Sequence, residues 1–93
     1  MNIDSLWEQT CALLAKEMNF ISYETWVDHG NMLPVILKDD TLYIRVKMET
    51  MIPMIQKNHL GLIERCLAES AGRPVRAVLL SKTSAEQLEN NSV

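Results

Sequence analysis

A chain of 93 residues, 47% hydrophobic and 23% charged, fits one small globular domain and argues against bulk disorder. Its net charge of −3 speaks against a protein whose main task is to grip phosphate backbones, and no apolar run approaches the ~18 residues of a membrane span. Asp4 and Glu8 stand where a secretory leader would be basic and then apolar, so a cytoplasmic location is expected.

The first helix is predicted from Ser5 to Met18. Ser5 with Glu8 three residues later forms a capping-box pattern, and Trp7, Cys11, Leu14 and Met18 recur at helical spacing. Leu6 and Leu13 widen that stripe. Asn19 to Ile21 reads as a link. Ser22 then caps a second helix, with Tyr23, Trp26 and Val27 on its apolar side and Gly30 as a left-handed stop. His29 falls at that helix end, where a cation complements the dipole.

Two strands follow. Leu33, Val35 and Leu37 alternate in the first, and Pro34 marks it as an edge strand. In the second, Leu42, Ile44 and Val46 share one face and Tyr43 and Arg45 the other. Asp39-Asp40 makes the turn between them. Thr50 caps a third helix, Pro53 lies in its first turn, Gly61 marks a kink, and Gly72 ends it. Val75 to Leu80 is a third strand. The expected fold is α+β, in the order α-α-β-β-α-β. It has a small three-stranded mixed sheet, helices on one face and a parallel crossover between the last two strands. The domain is read as residues 1–80, with a flexible polar tail or linker start over 81–93.

Chemistry-bearing motifs are absent, and no enzyme, metal or cofactor is expected. The chain has no phosphate loop, dinucleotide fingerprint, zinc-protease pair or nucleophile elbow. Cys11 and Cys66 each lie on an apolar stripe and read as buried free thiols. His29 and His59 are at no metal-ligand spacing from either cysteine. Asp39-Asp40 reads as a solvated turn. The element order is KH-like, but the three glycines form no GXXG loop. Arg45, Lys47 and Tyr43 are expected on one strand face. They make either an ordinary solvated surface or a patch for weak single-stranded DNA contact.

Leu6-Trp7 in a capped helix, Ser22-Tyr23-Glu24-Thr25-Trp26 in a second and Asp40-Thr41-Leu42-Tyr43-Ile44 in a hairpin resemble, in this order, the N-terminal domain (domain I) of the bacterial replication initiator DnaA. The resemblance spans about Ser5 to Leu80. It implies a KH-like fold without GXXG and a docking hub that self-associates and receives the replicative helicase and initiation regulators. It matches Leu6 and Trp7 to self-association, although a Trp on a helical stripe also suits a core. It places Ser22, Tyr23, Thr25 and Trp26 at the partner-docking surface, Trp26 rather as its support. After the second strand the chain departs from the family's Pro-Asn-x-Phe pattern. Lys47-Met48-Glu49-Thr50 stands there, and Met54 replaces a Trp. Met48, Met51 and Met54 suggest a soft, adaptable docking surface in its place. A stand-alone relative of that domain, modulating initiation, is the alternative expectation.

Overall fold

A computed structural model describes residues 2–91. Helix α1 spans Ile3–Glu17 and α2 spans Phe20–Trp26. Both begin on asparagine. The Asn2 Oδ1 accepts from the Ser5 amide at 2.7 Å, and the Asn19 Oδ1 from the Ser22 amide at 2.8 Å. The expected serine caps are thus replaced by asparagines three residues upstream. Asn caps as well as Ser, and the earlier start lets Ile3 pack against the core.

Strands β1 (Met32–Lys38) and β2 (Thr41–Val46) pair antiparallel, and β3 (Arg76–Leu80) runs parallel to β2 at its other edge. Asp39 and Asp40 adopt φ of 53° and 58°. Positive φ at both central positions suits the twist of a two-residue hairpin. Leu42, Ile44 and Val46 are fully buried, as the alternation predicts. In β1 the expected Leu33/Val35/Leu37 face fails. Opposite β2, Pro34 pairs with Ile44 and Ile36 with Tyr43, so Val35 is an extra residue in a bulge. The bulge reverses the alternation: Met32 and Leu37 lie over the core, and Leu33 is exposed.

After β2 comes a single 3₁₀ turn at Glu49–Met51, then α3 (Ile52–Asn58) and α4 (Leu60–Ala71). Thr50 lies within the 3₁₀ turn, and no side chain caps α3. Pro53 in its first turn has no amide to satisfy. The break falls at His59, not at Gly61. Gly61 faces open space, so its missing side chain relieves nothing, whereas the Trp26 ring packs on His59 with centroids 5.5 Å apart. Gly72, at φ 74°, ends α4.

The core lies between one face of the sheet and helices α1, α3 and α4, with Leu14, Ile55, Ile63 and Leu67 fully buried. Thr10 is buried there, its hydroxyl donating to the Leu6 carbonyl at 2.8 Å. The Glu64 carboxylate accepts from the Ala77 amide at 2.9 Å, which blunts the β3 edge.

The segment expected as a polar tail forms α5, Lys82–Asn91. The Ser81 Oγ accepts from the Ser84 amide at 3.1 Å and starts the helix. α5 contacts all three strands. Ala85 is buried yet lies outside the core cluster, as do the half-buried Ile36, Tyr43, Leu80 and Leu88. A second, thinner apolar layer therefore covers part of the opposite sheet face. No helix among the described residues is long and apolar enough to cross a membrane.

Candidate functional site

Helix α2 has two turns, and its inward side is Tyr23 and Trp26, both half-buried against the core. At about 100° per residue Ile21 lies opposite that side, and Phe20, one turn before Tyr23 at the first position of the helix, lies on its flank. They are 74% and 75% exposed, more than any other large apolar residue described. Asn31 fixes the far end of α2. Its side-chain amide donates to the Glu24 and Thr25 carbonyls at 3.3 and 3.0 Å, and its own carbonyl accepts from the Lys47 amide at 2.8 Å. This one residue links the C-terminal end of α2 to the end of β2.

The residues matched by resemblance are distributed unevenly. Leu6 and Trp7 are 2% and 8% exposed and belong to the core cluster, so they build the fold, and only the rim of Trp7 reaches the surface. Two flanks of α1 are covered at once, by α4 on one side and by α2 and β1 on the other. Adjacent residues can therefore both be buried. Ser22 is half-buried and Thr25 exposed, its hydroxyl donating to the Ile21 carbonyl at 2.7 Å. Met51 packs half-buried on the core, while Met48 and Met54 are 55% and 47% exposed. Arg45 is half-buried on the sheet face that α5 partly covers, and Lys47 lies exposed beyond the strand end. Arg73 pairs with Asp40 at 2.7 Å. A continuous basic face with Tyr43 is not assembled.

Sequence reasoning missed Phe20 and Ile21 by treating them as a link. The signal was Asn19 followed three residues later by Ser22, which starts the helix before Phe20. It also missed the company of His29. Searching for cysteine partners overlooked two carboxylates: the His29 Nε2 lies 3.4 Å from Glu24 and 3.8 Å from Asp28. The three donor atoms fall within 4.8 Å of one another on the surface. They are a nitrogen and oxygen set of the kind divalent metals accept. His29 holds φ 59°, followed by Gly30 at 73°, so this turn is sharply left-handed.

Behind α2, Cys11 and Tyr23 are neighbours that line the same hollow and pack against the core. Burial pushes Cys11 up to about 11, with Asp28 adding in the same direction. Burial, with the neighbouring Cys11 and Asp28, pushes Tyr23 up to about 12. Both stay protonated near neutrality, and Cys11 is a poor nucleophile. Burial also raises Cys66 and lowers His59.

The arrangement offers an apolar helix start at Phe20 and Ile21 and, behind α2, a hollow between α1 and the α2–β1 connection. No protein-family model and no curated protein matches the chain.

Proposed function

We propose that this chain is a cytoplasmic protein-docking module of DNA replication initiation, without catalysis of its own, whose contact surface is the outer side of α2. The observation that carries the docking part is the pair Phe20 and Ile21, three-quarters exposed beside the matched Ser22 to Trp26 segment. Such a pair has no role in the core and suits an apolar anchor for a partner. The replication part, with the replicative helicase or initiation regulators as partners, is supported by the resemblance to DnaA domain I. Met48, exposed next to the Lys47 that bonds Asn31, offers a further apolar side chain that adapts to different partners.

The test is titration of the labelled chain with the replicative helicase and with the initiator of its own cell, followed by fluorescence anisotropy. Saturable binding is expected, weakened about tenfold or more in the Phe20→Ser, Ile21→Ser double variant. Failure of both partners to bind overturns the replication reading. Equal binding by the double variant overturns the assignment to α2.

A further inference from the structure

A hollow of about 470 Å³ lies between the first half of α1 and the connection from α2 to β1. That volume is within the roughly 300–1,000 Å³ range of ligand clefts. Its apolar lining includes the rim of Trp7, Cys11, Tyr23 and Leu33, the last 39% exposed on the edge strand. The floor is neutral, since Cys11 and Tyr23 keep their protons well above neutral pH. Its acids are Asp4 and Glu8, one turn apart on α1, and Asp28 across the gap. Neither Lys nor Arg contributes to the lining. Among the described residues no lysine or arginine pairs with these three carboxylates, and the basic group beside Asp28 is the His29 imidazole at 3.8 Å.

Carboxylates on exposed helices usually find basic partners nearby or are scattered. Here three of one sign surround an apolar floor whose lining includes one histidine but no lysine or arginine. A ligand that placed an apolar group on Trp7 and Leu33 would set its flanking charges against these carboxylates, and only a cationic flank is attracted. We propose that this hollow docks a basic polypeptide segment, one that inserts a single large apolar side chain and sets Lys or Arg against Asp4, Glu8 and Asp28. The site is distinct from the exposed start of α2 and does not rest on the replication reading.

The probe is a short synthetic peptide carrying Arg-Leu-Phe-Lys in a Gly/Ser frame, compared with a twin in which Glu replaces Arg and Lys. Each is titrated into the isotope-labelled full chain and followed by NMR. Binding of the basic peptide is expected to shift the amides of Asp4, Glu8 and Gly30 to Leu33, and to weaken with added salt. The Asp4→Asn, Glu8→Gln, Asp28→Asn variant keeps its spectrum dispersed and binds about tenfold more weakly, since three exposed pairs are lost together. Leu33→Ser weakens binding independently of salt. Absence of shifts at millimolar peptide, equal binding of the acidic twin, or undiminished affinity in the charge-neutral variant overturns the proposal. So do shifts confined to Phe20 and Ile21, or shifts that follow protein concentration without peptide, which would make a second copy the occupant.

Discussion

Helices α1 and α2 start in the same way and serve opposite ends. Each is entered through Asn-x-x-Ser, with the asparagine side chain bonded to the serine amide. α1 continues for 15 residues and buries Leu6, Trp7, Thr10 and Leu14. α2 stops after 7 residues and fully buries none. A helix of two turns does not hold itself together in water. α2 persists because its cap, the Asn31 side chain, the packing of Tyr23 on the core and the tilted Trp26–His59 ring contact hold it. None of these involves the side chains of Phe20 or Ile21. Secondary structure alone therefore says little about role. The side chains a helix spends on packing separate the architectural helix from the one that displays a surface.

The sharpest way to break that contrast is to truncate one aromatic from each helix. Trp7→Ala removes a nearly buried indole, and a loss of about 3–5 kcal/mol is expected in urea unfolding. Any accompanying change in self-association would then be a consequence of unfolding. Phe20→Ser and Ile21→Ser, by contrast, are expected to stay within about 0.5 kcal/mol of wild type. A stability loss above about 2 kcal/mol in the α2 pair would place those side chains in the fold and remove the argument for display. Ala85→Asp probes the second apolar layer. Placing a carboxylate where 1% exposure leaves no room for water is expected to cost about 1–3 kcal/mol, read in the same experiment. An unchanged midpoint would mean that α5 adds nothing to the sheet.

Much of this was visible in the residues, and the failures have local causes. β2 was readable because a central strand with one buried face must alternate, and Leu42, Ile44 and Val46 do so without interruption. β1 was not, because one bulged residue at Val35 moves every later side chain to the other face, and nothing in Leu-Pro-Val-Ile-Leu announces it. Gly72 stopped α4 as expected, since the left-handed position there favours glycine. α5 escaped notice because its buried stripe is thin: Ala85 and the half-buried Leu88, one turn apart, are all the apolar signal it carries. On α2, the sequence reading placed Ser22 to Trp26 in the helix but left Phe20 and Ile21 outside it. Two candidate caps stood three residues apart, and the wrong one hid the exposed pair outside the helix. The hollow beside Trp7 was invisible, because its rim joins residues 4, 8 and 28, which share no spacing.

A smaller effect sharpens the account of the caps. The side chain of Asn19, not that of Ser22, satisfies the α2 amide. Asn19→Ala is expected to cost about 1 kcal/mol, which for a domain of this size lowers the melting temperature by roughly 4–8 °C. Ser22→Ala is expected to be close to neutral. The reverse order would restore Ser22 as the cap, and with it the reading of Phe20 and Ile21 as a link.

The smallest effect is read in pH and concerns how α2 is held. The ring of Trp26 packs on His59 at the break between α3 and α4, and burial lowers that imidazole from its ordinary value of 6.5. A histidine whose folded value is depressed binds its proton more readily in the unfolded chain. Stability is therefore unaffected well above 6.5 and falls as the pH drops below it, until the folded form is protonated as well. His59→Gln removes that proton uptake. Wild type should lose more stability than His59→Gln between pH 7.5 and 5.5, in urea unfolding followed by Trp fluorescence. The difference should be modest, because the ring is only half-buried. If the two chains lose stability in parallel, the ring contact does not report on His59 protonation. α2 would then be held by Asn19, Asn31 and Tyr23 without help from the α3–α4 break.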